Sequence, residues 1–92
     1  MIERSMVIKN RQGLHARPAA LFVQIANKFE SEITIKKDDQ EVNGKSIMGI
    51  MMLAAGKGST VYIKAEGSDA AKAMKELEEL LSGDLDNTET AA

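Results

Sequence analysis

At the start of the chain Ile2, Met6 and Ile8 share one parity while Glu3, Ser5 and Lys9 take the other, which predicts a strand with one buried face. Arg4 interrupts that alternation. The stretch from Asn10 to Gly13 is rich in turn residues, and from about Ala16 to Lys28 the residues Ala19, Phe22, Val23 and Ala26 recur at helical spacing. This predicts an amphipathic helix. Ile33 and Ile35 alternate with Glu32, Thr34 and Lys36 as a second strand, Lys37-Asp38-Asp39 reads as a turn, and Glu41-Val42-Asn43 as a short third strand closing a hairpin. Ser46 ahead of Ile47, Met48, Ile50, Met51 and Leu53 predicts a short capped helix, followed by a flexible Gly56-Lys57-Gly58-Ser59 run.

Val61, Ile63 and Ala65 alternate with Thr60, Tyr62 and Lys64 as a fourth strand. Asp69 is then the expected N-cap of a last helix, in which Ala70, Ala73, Met74, Leu77, Leu80 and Leu81 form a stripe opposite Lys72, Lys75, Glu76 and Glu79. Gly83 can end that helix, and residues 84–92 contain too little apolar surface to pack, which predicts a disordered acidic tail after a single domain at 1–83. The sequence has no internal repeat. Strand, helix, strand, strand, helix, strand, helix, with single-face alternation in the strands, predicts an α+β open-faced sandwich. In it, a four-stranded antiparallel sheet carries three helices on one face.

Ninety-two residues suit one core, and the apolar fraction of 43% with two Phe, one Tyr and no Trp makes that core aliphatic. Twelve basic residues against fourteen acidic ones leave a net charge of −2, which argues against nucleic-acid binding. No apolar run is long enough for membrane insertion and no signal-peptide pattern begins the chain, so a cytoplasmic protein is expected. With no Cys and a single His, neither a disulfide framework nor a metal site is expected. Gly44-Lys45-Ser46 resembles the end of a phosphate-binding loop, but the full pattern needs glycine at position 39, where Asp39 stands.

The chemistry concentrates in Gly13-Leu14-His15-Ala16-Arg17-Pro18. Proline belongs to a first helical turn, where backbone N–H groups are unpaired, and those groups with the helix dipole make an anion site. A reversible phosphoryl acceptor needs an unprotonated nucleophile, donors for the phosphoryl oxygens and access for a donor protein. Unperturbed imidazole titrates at about 6.5 and so offers a neutral nitrogen near neutral pH. A guanidinium gives planar, charge-assisted donors to phosphate oxygens. The competing reading is an ordinary surface turn.

The run Gln12-Gly-Leu-His-Ala-Arg-Pro-Ala-Ala20 resembles the active-site signature of HPr, the histidine phosphocarrier family of the bacterial sugar phosphotransferase system. A second run, Asn43-Gly-Lys-Ser-Ile-Met-Gly-Ile-Met-Met-Leu-Ala-Ala55, resembles the family's regulatory-serine helix, and the likeness extends over nearly the whole chain. The resemblance implies that His15, at the N-cap of the first helix, is phosphorylated on Nδ1 by the phosphoenolpyruvate-dependent enzyme I. The backbone N–H of Ala16 and the Arg17 side chain would stabilise the phosphoryl group, which then passes to EIIA-type acceptor domains of sugar permeases or to regulatory domains. It implies no cofactor, and a carrier that is not itself an enzyme.

Ser46 carries two compatible readings, a helix cap and, by the resemblance, a regulatory site for an HPr kinase/phosphorylase. The resemblance also places Ala20, Gln24, Ile47, Met48 and Met51 in a partner-docking patch, with exposure expected for Met48 and Met51 and a possible extension through Leu21 and Ile25. Core packing is the alternative for the methionines. Ala20 stands where many Gram-positive members have Thr, so the site lacks one hydroxyl. Two alternatives stay in view: a nitrogen-related carrier with a mainly regulatory role, and a non-phosphorylated binding module of the same fold. A free-standing enzyme would need a deep pocket that so small a domain scarcely accommodates. RNA binding would call for exposed sheet aromatics, of which Tyr62 is the sole candidate. A monomer is the expected state.

Overall fold

In the computed structural model, which describes residues 1–9, 11 and 13–82, the elements follow the order β1 (Ile2–Val7), α1 (Ala16–Asn27), β2 (Glu32–Lys37), β3 (Gln40–Asn43), α2 (Ile47–Met52), β4 (Thr60–Glu66) and α3 (Ala70–Ser82). The expected Gly83 helix stop and acidic tail lie outside the described residues. The four strands form one antiparallel sheet in the order β1-β4-β2-β3, with the helices packed on one face.

The register explains how strands so short hold a common core. On β4 the residues Val61, Ile63 and Ala65 are buried and the residues between them face outward. Ala65 lies opposite Ile2 on one side and Ile33 on the other, and Ile63 lies between Arg4 and Ile35. A period of two therefore stacks the apolar side chains of three strands in rows under the helices. Phe22, Ala19 and Ala26 of α1 and Ala73, Met74, Leu77 and Leu81 of α3 close the core from above.

Arg4 interrupts the apolar parity because β1 is an edge strand. Opposite Ile63 it has the helix-side parity, yet its guanidinium escapes past the edge to donate to Glu78 Oε1 on α3 at 3.2 Å. Both side chains are well exposed, so the pair contributes at most about 1 kcal/mol. A charge in this place also discourages another chain from pairing with the free edge.

Two local expectations need revision. Lys37 belongs to β2 rather than to the turn: it pairs with Gln40, leaving Asp38-Asp39 as a two-residue connection in which Asp38 takes a left-handed φ of 55°. The Gly56–Ser59 run is not a loose linker but a bonded turn. Ser59 N donates to Gly56 O at 3.1 Å, Gly58 N to Ile8 O at 2.8 Å, and Ile8 N to Ser59 O at 2.9 Å.

Asp69 takes the expected N-cap position of α3, its carbonyl accepting from Ala73 N at 3.0 Å, while its carboxylate bonds to another turn. It accepts from Glu30 N at 2.9 Å, from Ser31 N at 3.0 Å, and from the hydroxyl of the buried Ser31. The turn between α1 and β2 thus offers three donors converging on one anion, a better set than the end of a helix provides locally. Gly67 allows this closeness, since a Cβ there would lie 2.5 Å from Ser31 Oγ, and its φ of 151° favours glycine. The Ser31 hydroxyl first, then the Glu30 amide, lower the Asp69 pKa from its ordinary 3.8.

A depressed carboxylate pKa contributes stability that is present above the unfolded value and fades as pH falls through the folded one. Asp69→Asn is therefore expected to lower the thermal midpoint at pH 7. The gap between the variant and the parent protein should close as pH falls below about 3.8, measured by circular dichroism melts across that range.

Candidate functional site

The loop before α1 and the segment after α2 are bonded to each other through their backbones. His15 is the N-cap of α1 with extended backbone angles (φ −130°, ψ 152°), and its side chain makes no capping hydrogen bond. The imidazole is exposed to solvent instead of serving the helix. Pro18 sits buried in the first turn, where its missing N–H removes no helical bond. No acidic residue stands in that turn, so the positive end of a 12-residue dipole is left for an external anion. Arg17 is exposed beside it.

The loop before His15 is held by backbone. Leu14 is buried and its N–H donates to Ala55 O at 2.7 Å. Gly13 has φ +65°, and a Cβ on it would fall 2.6 Å from both Ala55 O and Gly56 Cα. The close approach and the left-handed conformation both require glycine there. The C-terminal end of α2 and the His15 loop are in this way one continuous unit.

At the other end of α2, Ser46 is the N-cap (φ −113°, ψ 114°) and its Oγ accepts from Gly49 N at 3.0 Å. Asn43 Oδ1 accepts from Lys45 N at 2.8 Å and shapes the preceding turn. Ile50 and Leu53 are buried, which turns the opposite side of α2 outward: Met48 is 74% exposed, Met52 65%, Ile47 42% and Met51 38%. Four neighbouring large apolar side chains in solvent are costly to keep unless something binds them. Ala20 is half-buried and Gln24 exposed on α1, the helix against which α2 packs.

The residues singled out from sequence thus lie on two adjoining helices: His15, Ala16 and Arg17 where α1 begins, Ala20 and Gln24 along it, and Ser46, Ile47, Met48 and Met51 on α2. Leu21 is half-buried. Ile25 does not extend the patch, because it turns to the other side of α1 and lines a shallow groove with Leu80 of α3. Met52 was not singled out beforehand, although its place in the Ile-Met-Gly-Ile-Met-Met run carried the signal.

Charge placement gives a second signal that net charge hides. The chain contains no carboxylate between Glu3 and Glu30, nor between Glu41 and Glu66, while Lys9, Arg11, Arg17, Lys45 and Lys57 fall inside those stretches. These two stretches supply α1, α2, the Ala55–Gly56 segment and the His15 loop. A protein of charge −2 therefore presents a site built without acidic residues, with a field that favours anions. Among the described residues no group of three or more acidic or His side chains could hold a metal ion.

The family described as "PTS HPr component phosphorylation site" matches residues 2–83. The chain belongs to the HPr family. Among HPr relatives it is 48% identical over 83 residues to the phosphocarrier protein HPr of Neisseria meningitidis, covering 90% of this chain and 93% of that one. It is 56% identical over 77 residues to the HPr-like protein Crh of Halalkalibacterium halodurans, covering 84% and 92%. The crystal structure of HPr from Bacillus anthracis superposes with a TM-score of 0.86 at 49% identity, covering 88% of this chain and 96% of that one. The HPr fold, an open sandwich of four antiparallel strands and three helices, is therefore that of this chain. No described helix is long and apolar enough to cross a membrane.

Within this HPr fold the Leu14-to-Ala55 bond is the mechanical support of His15. Gly13→Ala is expected to force the loop away from Ala55 and Gly56, at a conformational cost of about 1–2 kcal/mol before the steric overlap is added. Faster amide hydrogen exchange at Leu14, with core amides such as Ile63 much less affected, is the measurement that checks it.

Proposed function

We propose that this chain is a stoichiometric phosphoryl carrier of the phosphotransferase system, loaded on His15 by enzyme I and unloaded by EIIA-type domains of sugar permeases or by regulatory domains. The observation that carries the reading is the exposed imidazole of His15 standing uncapped at the acid-free N-terminus of α1. In the transfer, His15 Nδ1 attacks the phosphorus of the donor, a nitrogen–phosphorus bond forms, and the bond from phosphorus to the donor's leaving atom breaks. The Ala16 amide and its neighbours in the first turn, with Arg17, stabilise the three phosphoryl oxygens. The bond formed is labile enough for the group to move on to the next partner.

Ile47, Met48 and Met51, with Ala20 and Gln24, are the proposed docking patch, and Met52 joins them. Thioether side chains repack readily, which suits brief contact with several unrelated partners. Ser46 is proposed as a regulatory site for an HPr kinase/phosphorylase. Its hydroxyl serves α2 as a cap, and a phosphate there would add nearly two negative charges beside the docking patch. We propose that it acts as a monomer in the cytoplasm, where phosphoenolpyruvate is available. No observation favours the nitrogen-related branch or a non-phosphorylated binding module over this reading.

Incubation with enzyme I, phosphoenolpyruvate and Mg²⁺ at neutral pH is expected to give one acid-labile phosphate adduct by intact-mass spectrometry, absent in His15→Ala. An unmodified mass with several active enzyme I preparations would discard the carrier reading and leave the binding module. For Ser46, the comparison of two caps separates charge from capping. Ser46→Asp is expected to slow His15 loading severalfold in stopped-flow transfer assays, and Ser46→Asn, which also caps a helix, to leave it near the parent rate.

A further inference from the structure

The end of α2 that supports the His15 loop contains two features that the carrier reading leaves unexplained. Ala54 holds a left-handed conformation, φ 51°, in a residue with a Cβ. The last turn of α2 has no basic residue of its own, although it presents unpaired carbonyls at the negative end of the helix. Both are met by one side chain from a distant strand. Lys37, the final residue of β2, brings Nζ to within 3.4 Å of Leu53 O and 3.4 Å of Ala54 O.

Following the backbone from there leads directly to the site. Leu53 is the C-cap of α2, Ala54 turns the chain through its left-handed angle, and Ala55 then presents the carbonyl that accepts from Leu14 N at 2.7 Å. Leu14 is next to His15. The tolerance at this joint is small, because Gly13 has no room for a Cβ against Ala55 O and Gly56 Cα. A change in the direction of the Ala54–Ala55 peptide would therefore move the His15 loop.

We propose that Lys37 is a positioning residue for phosphoryl transfer. Its ammonium clasps the carbonyls of Leu53 and Ala54, holds Ala54 in the left-handed turn, and so fixes the Ala55 carbonyl on which the His15 loop is hung. A cation is needed here because it can serve two carbonyl acceptors at once and carries charge to the negative end of the helix. Lys37 touches neither the phosphoryl group nor His15, and it acts through Ala55 and Leu14. The inference rests on the carrier reading for its effect on rate, and on geometry alone for its effect on the loop.

The test uses the full chain in four forms: Lys37→Met, Lys37→Arg, Ala54→Gly and the double variant Lys37→Met/Ala54→Gly. Lys37→Met is expected to lower kcat/KM for loading of His15 by enzyme I about tenfold, the scale on which slight misplacement of a reacting group acts. It should also speed amide exchange at Leu14 and shift the His15 imidazole resonances, while the exchange of Ile63 and Leu77 amides stays near that of the parent. Lys37→Arg should retain the parent rate. Glycine at position 54 relieves the left-handed angle, so the double variant should recover most of the loss.

The proposal is overturned if Lys37→Met keeps the parent rate and Leu14 exchange. It is also overturned if core amides lose protection in step with Leu14, or if Lys37→Arg fares no better than Lys37→Met. If the parent protein accepts no phosphate, the carrier reading fails by itself, and Leu14 exchange with the His15 resonances still decides whether Lys37 holds the loop.

Discussion

The buried row of β4 is the constraint from which the rest of the molecule follows. Val61, Ile63 and Ala65 belong to a strand paired on both sides, and each must face the helices if any is to do so. Fixing that parity fixes the inward residues of β1 and β2 through the register, and with them the faces that α1 and α3 must cover. A slip of one residue would carry all three side chains into solvent. At about 25 cal/mol per Å² of apolar surface, the loss would be of the same order as the margin by which small domains are stable.

On that base the connections are held by side chains that cross between elements. The carboxylate of Asp69 gathers the turn after α1, the Lys45 ammonium donates to Phe29 O at 2.8 Å just beyond α1, and Lys37 reaches the carbonyls at the end of α2. α2 has no basic residue in its last turn, yet a lysine from another part of the chain arrives at its negative end. Stabilisation by the dipole does not require the cation to be local in sequence, only to be near the last carbonyls. Charges placed in this way hold elements to one another, which a lysine within the same helix would not do.

This distinction also explains what could be read from the chain and what could not. Strands and helices declare themselves through periods of 2 and 3.6, so Val61-Ile63-Ala65 and the Ala73-Leu77-Leu81 stripe were legible. His15, Arg17 and Pro18 drew attention as a candidate site because they fall within four residues, and the family resemblance suggested roles for Ser46 and for the methionines. Asp69 was legible as the residue that starts α3, but not its side-chain partners, which are donors around Ser31, 38 residues away, instead of nearby amides of the helix. Lys37 was read as part of a turn, since nothing local announces a carbonyl 16 residues distant. Gly13 looked like an ordinary turn glycine until Ala55 and Gly56 were found against it. Ile25 has the helical spacing of a patch residue, but α3 takes that side of α1.

A carrier of a reactive group faces two demands that pull in opposite directions. The nucleophile must be exposed enough for several partners to reach it, and exposed side chains are ordinarily free to wander. Here the backbone around His15, rather than its side chain, is restrained: Leu14 is buried and bonded to Ala55, and Pro18 is buried one turn later. The imidazole between them is exposed and makes no capping hydrogen bond to its helix. The apolar residues of α2 stand beside it on a helix whose two ends are fastened, at Ser46 by its own cap and at Leu53 and Ala54 by Lys37. Such a frame lets the contacts with each partner remain weak, because orientation is built into the carrier beforehand and little ordering entropy is left to be lost on docking.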